Sequence, residues 1–319
     1  MTFDDTQPTA SDALSLTELD LYHQIMEYRD SLGLAPIPLS LGLTTTAGRH
    51  AADTAYNIWQ AGLTLPAGAN LHSWSDAPYY SDHSQAAVMW DAPERIGTTY
   101  TDTGFEISAA GYGSIEAALD AWKGSSGHNS VIANLGGWEN YDWNAIGIGV
   151  IDDPAAGGDY GGRVYHVWFG RAEDPGGAPR IAGTARHDTI KGTQFDDVIA
   201  GRAGRDVIFG GAGDDVIRGG AGRDRINGGA GDDVLSGGRL VDRFIFNGRD
   251  WGTDKITDFD NDIVVIRSRG EAHNKAQLNA ALSQSGSDVI YDHGHDGQNV
   301  IVFQDITLAQ LDLDRFILA

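Results

Sequence analysis

Cysteine is absent from the 319-residue chain, which removes disulfides, thiolate metal ligands and thiol nucleophiles together. No apolar run approaches the roughly 18 residues that a membrane-spanning helix needs. Basic side chains are scarce. Against 45 Asp and Glu stand 22 Lys and Arg, a net charge of −23, which argues against nucleic acid and anionic membranes as partners and leaves metal ions open. The start, "MTFDDTQPTASDAL", has no basic stretch followed by an apolar one, so export is expected to use an address other than an N-terminal signal peptide. An H-E-x-x-H helix, a G-x-S-x-G turn and a glycine-rich phosphate loop are also missing, which sets aside the zincin proteases and leaves no nucleophile elbow or nucleotide site to argue from.

Glycine, by contrast, is plentiful and concentrated. From Gly183 to Ile245 the chain reads as seven nonads: GTARHDTIK, GTQFDDVIA, GRAGRDVIF, GGAGDDVIR, GGAGRDRIN, GGAGDDVLS and GGRLVDRFI. The sixth position is always Asp, from Asp188 to Asp242, and the eighth is Ile, Leu or Phe. One inward aliphatic per nine residues is a small core for so much glycine, whose ordering is entropically costly. A partner from outside the chain is therefore expected. Calcium suits the donors, since it takes six to eight carboxylate and carbonyl oxygens. The pattern is the G-G-x-G-x-D-x-U-x nonapeptide and resembles the repeats-in-toxin (RTX) family. That resemblance implies a parallel β-roll of three-residue strands and six-residue glycine loops. Successive nonads then alternate between two sheets, with ladders Ile190, Ile208, Ile226, Phe244 and Ile199, Ile217, Leu235. The calcium candidates are Asp197, Asp206, Asp215, Asp224 and Asp233 with Gly211, Gly213, Gly220, Gly222, Gly229 and Gly231. Repeats one, two and seven depart from the pattern and are expected to bind weakly. The fifth position alternates, so one edge of the roll stacks Asp196, Asp214 and Asp232 and the other His187, Arg205 and Arg223. The acidic edge is expected to bind calcium more tightly, and the basic edge less tightly or to meet an anionic partner.

The first half has a different grammar. Ser15 and Glu18 form a capping box ahead of a helix over "LTELDLYHQIMEYRDSLGL". A second helix covers "LTTTAGRHAADTAYNIWQAG", with Leu43, Ala47, Ala51, Ala55 and Ile58 on its inner face, and a third covers "SIEAALDAWKG". "NAIGIGVID" and "RVYHVWFGR" read as a hairpin. His50 falls on the buried side of the second helix as a packed histidine. His293 and His295 in "DHGHDG" read as a polar turn, with metal chelation as the alternative.

Several stretches here resemble the cysteine-rich secretory protein, antigen 5 and pathogenesis-related (CAP) superfamily in a bacterial, disulfide-free form. "NLHSWSDAP" is similar to the segment bearing its first cleft histidine, His72. "DTGFEISAAG" lies where its Gly-Glu-Asn motif does, at Glu106, with Phe105 and Ile107 in place of the usual neighbours. "AWKGSSGHNSVIAN" resembles its Trp-x-x-Ser-x-x-His stretch, at His128. The resemblance implies that His72, Glu106 and His128 share a cleft. Three readings of them stay open: a hydrogen-bonded structural cluster, a site for zinc, another divalent metal or a ligand without turnover, and a catalytic centre.

The expected fold class is α+β: an N-terminal tail (1–15), an α/β/α sandwich of CAP type (16–172), a linker (173–182), a parallel β-roll (183–246) and a small β-rich C-terminal cap (247–319). The last segment, with "TDKITDFDNDIVVI" and "DRFILA", resembles the end region of proteins exported by the type I (ABC-transporter) machinery, whose uncleaved C-terminus is the signal. The expectation is a secreted, calcium-stabilised extracellular binding or effector protein whose ligand is a lipid, a sterol or another surface component. The alternatives are a metal-dependent hydrolase, peptidase- or lipase-like, using the same cleft, and an adhesin, for which seven repeats make a short solenoid.

Overall fold

The computed structural model describes residues 12–248, 250–267, 274–294 and 297–318. His295 and most of the N-terminal tail lie outside them. The chain divides into two compact units, one ending at Pro179 and one starting at Arg180.

The first unit is a three-stranded antiparallel sheet with helices packed on it. α1 spans Leu16–Ser31, and both halves of the expected capping box are made at its start: Ser15 N donates to Glu18 Oε2 (2.7 Å) and Glu18 N to Ser15 Oγ (3.3 Å). α2 spans Leu41–Ala52 and continues as a wider π-helical stretch over Asp53–Gln60, with the expected Leu43, Ala47, Ala51, Ala55 and Ile58 all buried. The strands are β1 (Gly104–Ala110), β2 (Ala145–Asp152) and β3 (Arg163–Gly170), in the order β1-β3-β2. α3 (Ile115–Gly124) and α4 (Ser126–Ile132) follow β1, with Ser125 between them. Two glycines set the depth of the helix–sheet contact. A Cβ on Gly147 or Gly149 would fall 2.0 Å and 2.2 Å from the carbonyl carbons of Leu43 and Ala47, so only glycine lets α2 lie this close to β2. That approach presses His50, one turn beyond Ala47, onto the sheet.

The second unit is a parallel β-solenoid of about five turns. Its strands alternate between two sheets: β4 (Arg180–Ala182), β6 (Val198–Ala200), β8 (Val216–Gly222) and β10 (Val234–Arg239) in one, and β5 (Thr189–Lys191), β7 (Val207–Ala212), β9 (Arg225–Ala230) and β11 (Arg243–Asn247) in the other. Registers pair Ile199, Ile217 and Leu235, and separately Ile190, Ile208, Ile226 and Phe244, all of them buried. Both ladders stand as the nine-residue phase requires.

The sheets do not stop at residue 246. β12 (Thr253–Ile256) extends the first sheet in parallel and β13 (Ile263–Arg267) the second. These are two further turns of the roll, hidden because Asp254 follows Asp242 after twelve residues and Asp262 follows Asp254 after eight, off the nine-residue phase. The roll then ends in a short helix, α5 (Lys275–Ala280), the antiparallel strands β14 (Leu282–Ser285), β15 (Asp288–His293) and β16 (Asn299–Phe303), and β17 (Phe316–Leu318) beside β13. His293 closes β15, and its Nδ1 meets the Tyr291 hydroxyl at 2.8 Å.

Candidate functional sites

In the first unit the strand pairing brings Glu106 of β1 beside β3, whose His166 lies opposite both Ser108 and Gly149. His50 of α2 sits over His166 with ring centroids 4.0 Å apart and, on its other face, stacks on Trp74 at 4.4 Å. The Glu106 carboxylate is buried and fully engaged. Oε1 faces His50 Nδ1 at 2.7 Å and His166 Nδ1 at 2.6 Å, and Oε2 faces His72 Nδ1 at 2.7 Å. Since His50 Nε2 lies 3.1 Å from the Ser73 carbonyl, which only accepts, that nitrogen carries a proton. The proton on the Nδ1 side is shared with Glu106.

The charges settle accordingly. Burial raises the Glu106 carboxyl, but His50 and His166 outweigh it and hold the group well below the usual range. Burial lowers His50, and the Glu106 charge and hydrogen bond outweigh that and raise it. Burial, with His50 beside it, pushes His166 down to about 4. Below the cleft there is thus one ion pair, His50 with Glu106, and one neutral imidazole.

His72 is the exposed end of this network. Its Nδ1 on Glu106 leaves Nε2 to a cleft of about 810 Å³, which it lines together with His128, Tyr79, Trp90, Phe105 and Trp138. His128, in α4, faces the same cleft but makes no hydrogen bond to Glu106. Burial and the charge of His72 hold it below its ordinary pKa. The arrangement thus joins His72 to Glu106 and leaves His128 apart, with His50 and His166 as the carboxylate's other partners. His50 is buried, as the helical face implied, and also paired. His166 carried one signal in the sequence: it stands between Val164 and Trp168 in β3, a strand buried on both faces, where an ionisable side chain is out of place. Among the described residues His50, Glu106 and His166 are the group able to hold a metal, their ligand atoms lying within 4.8 Å.

In the second unit the aspartates stack. Oδ1 of each accepts the backbone N–H of the aspartate one turn earlier: Asp197 donates to Asp215 (2.8 Å), Asp206 to Asp224 (2.8 Å) and Asp215 to Asp233 (2.9 Å). The hidden turns continue the column, Asp233 donating to Asp254 (3.0 Å) and Asp242 to Asp262 (2.8 Å). Oδ2 of Asp206, Asp215, Asp224, Asp233 and Asp242 is buried and has no hydrogen-bond partner. Burial pushes Asp215 up to about 8 and Asp242 to about 7. Five buried carboxylate oxygens without a donor are costly unless a cation meets them.

The space for that cation is visible at the first glycine of each nonad. A Cβ on Gly210 would fall 2.1 Å from Asp215 Oδ2 and 2.2 Å from the Gly228 carbonyl oxygen, and one on Gly228 would fall 1.9 Å from Asp233 Oδ2. These oxygens form cradles that suit calcium, which supplies the positive charge the carboxylates lack. The first glycines were not among the expected calcium positions, although the first position is glycine in all seven nonads. Of those that were, Gly211, Gly213, Gly220, Gly229 and Gly231 take positive φ. Gly222 does not; it is glycine because a Cβ would lie 1.6 Å from the Gly204 carbonyl oxygen. In repeat one, Thr184 N and Oγ1 already occupy the Asp188 carboxylate.

Residues 182–217 and 209–243 match the family model of the RTX calcium-binding nonapeptide repeat (4 copies). The chain carries RTX calcium-binding repeats. No curated protein matches the sequence. Solved structures with some likeness include an extracellular lipase of Serratia marcescens (17% identity, 44% of this chain and 40% of that one, TM-score 0.26). An outer surface protein of Borrelia burgdorferi gives 18% identity over 52% and 97%, with a TM-score of 0.35. A cysteine-rich secretory protein of Staphylococcus aureus gives 15% over 49% and 38%, with a TM-score of 0.31. The chain thus spans 40% of the lipase it matches. No helix among the described residues is long and apolar enough to cross a membrane.

Proposed function

We propose that this is a secreted, extracellular binding or effector protein, released through the type I machinery by its C-terminal segment and folded on calcium outside the cell. In this reading the first unit is an α/β/α sandwich of CAP type, and its cleft takes a lipid, sterol or similar surface ligand. One observation carries the choice of binding over turnover: the Glu106 side chain is 0% exposed, with each carboxylate oxygen on an imidazole and no surface open to a water or a substrate. What it does instead is fix the His72 ring with Nδ1 on the carboxylate and Nε2 toward the cleft. Trp90, Phe105, Trp138 and Met89 supply an apolar wall of the kind that small-molecule sites use.

Binding of a sterol or a long-chain fatty acid, followed by the fluorescence of the cleft tryptophans, tests the reading. The expected result is saturable binding that is lost in Trp138→Ala and kept in His128→Ala.

A second reading, a divalent-metal hydrolase, draws on the two histidines facing one cleft, His72 with its outward Nε2 and His128 held toward its neutral form. Bound zinc would act there as a Lewis acid, with His72 and His128 as its holders. Stoichiometric zinc in the purified protein, abolished by His128→Ala together with peptidase or lipase turnover, would replace the binding reading with this one.

A further inference from the structure

The two sides of the roll carry opposite chemistry at one pitch. Equivalent positions recur every 18 residues along each sheet, which is about 4.8 Å from strand to strand. On the β7–β9–β11 side, Arg205 and Arg223 occupy the fifth nonad position and Arg225 and Arg243 the seventh. They line a groove of about 600 Å³ with Val207, Val241 and Ile263 between them. All four arginines are exposed. Among the described residues, arginine ion pairs are made by Arg49, Arg95, Arg163 and Arg315 and by none of these four. Four unpaired guanidiniums are conspicuous in a chain with twice as many acids as bases.

The β6–β8–β10 side is the counterpart. Asp196, Asp214 and Asp232 hold the fifth position there and are exposed. Oδ1 of each accepts the backbone N–H of the next turn, from Asp214 (2.7 Å), Asp232 (2.8 Å) and Thr253 (2.7 Å). The carboxylates are thereby locked in one orientation, so little side-chain entropy remains to be lost on docking. Beside them the seventh position is Val198, Val216 and Val234, of which Val198 and Val234 are 36% and 38% exposed. One side therefore offers acids flanked by valine, and the other arginines flanked by valine and isoleucine, with the spacing set by the same strands.

We propose that the aspartate–valine side of one roll docks into the arginine groove of a second copy of this chain. Arginine forks match carboxylates two bonds at a time, and the shared pitch lets several pairs form in register. The bulk charge does not oppose the approach of two rolls. Residues 181–245 hold 10 acidic and 9 basic side chains, a net of −1, whereas the whole chain carries −23. The contact is heterologous, since each copy still presents one free groove and one free acidic side. Association is therefore open-ended and does not stop at a dimer. It needs the roll, hence calcium, and is independent of what the cleft of the first unit binds.

The test is sedimentation velocity on the calcium-loaded full chain over a range of concentrations, at low and at high salt. The expected result is a mean mass that grows with concentration and falls with salt. Arg223→Glu with Arg225→Glu, and separately Asp214→Arg with Asp232→Arg, should each weaken self-association by at least about tenfold. An equimolar mixture of the two variants should restore it, because each supplies the charge the other has lost. Unchanged calcium-dependent melting of each variant shows that the roll is intact, and the mixing result keeps the test valid if one variant melts lower. A wild-type chain that stays monomeric throughout, or groove variants that associate as well as wild type, would overturn the proposal. So would a monomeric chain whose groove arginines instead retain a soluble polyanion such as heparin.

Discussion

The two units stabilise themselves by opposite means. The first buries large side chains around a sheet, Trp74, Trp122 and Trp168 among them, and its one dense polar cluster satisfies itself, each carboxylate oxygen of Glu106 meeting an imidazole. The second buries one aliphatic per nonad and leaves five carboxylate oxygens without a partner. The lesson is about where a buried charge is answered: inside the chain in the first case, by an ion from solution in the second. The first unit should be indifferent to calcium, and the second should be made by it.

Calcium removal is the largest expected effect. Each site filled at a thousandfold excess over its Kd contributes about 4 kcal/mol, so several sites together exceed the stability of an ordinary domain. Chelation should abolish the strand signal of the second unit and expose Trp251, its one tryptophan, while the seven tryptophans of the first unit keep their environment. Circular dichroism and tryptophan quenching at one temperature, with and without chelator, read both at once. A roll equally compact in metal-free buffer would erase the contrast.

Next comes Glu106→Gln. It leaves the buried His50 without its counter-charge, a change of about 3–5 kcal/mol in similar settings. Chemical denaturation should show the loss in the first unit's transition and none in the calcium-dependent one. Loss in both would mean that the units are not energetically separate.

The pH response sharpens the same point. His166 titrates near 4 in the folded chain, well below the ordinary 6.5, because burial and His50 disfavour its charged form. Between those values the unfolded chain takes up a proton that the folded one refuses, so stability is full above pH 6.5 and falls as the pH drops. His50, raised, gives a contribution that is constant below pH 6.5, and the Glu106 contribution is lost only below about 4.5, so neither contributes slope in the window between. His128 adds in the direction of His166. His166 alone should cost the first unit about 2–3 kcal/mol from pH 6.5 to 4.5. Glu18, which burial raises to about 6, takes up its proton in the folded chain first and returns stability below pH 6, so His166→Gln should remove the loss and leave that gain. A slope unchanged in the variant would place the titrating group elsewhere.

How much of this the sequence disclosed also divides between the units. In the roll, position encodes contact: a fixed nine-residue phase dictates the pairing of Ile208 with Ile226 and of Ile217 with Leu235 before any coordinates exist. The phase fails where the spacing departs from nine, and so the turns bearing Asp254 and Asp262 were invisible. In the first unit the helices and the hairpin follow from local periodicity, but the partners of Glu106 do not. His50 and His166 lie 56 and 60 residues away from it; strand pairing brings His166, and the close approach of α2 over Gly147 and Gly149 brings His50. His128 was placed by resemblance in the cleft, and no local rule fixes its distance from the acid.

The smallest expected effect lies where the roll's own rule is broken. Repeats three to six place glycine at the fourth nonad position, and Gly204, Gly213 and Gly231 hold positive φ there. Repeat seven has Leu240 at that position, with φ 78° and its side chain 64% exposed. The backbone is thus held left-handed by its neighbours while a Cβ resists, at a cost of about 1–2 kcal/mol, and the exposed side chain returns little by burial. Leu240→Gly removes the strain but loosens the unfolded chain by somewhat less than 1 kcal/mol. The net should be a gain of about 0.5–1 kcal/mol in the calcium-dependent transition and nothing in the other. The sign separates two accounts of this repeat. A gain means that leucine is a tolerated defect in a calcium loop; a loss means that its side chain has a partner in the assembled protein, which the arginine groove, lined by the adjacent Val241 and by Arg243, would then supply.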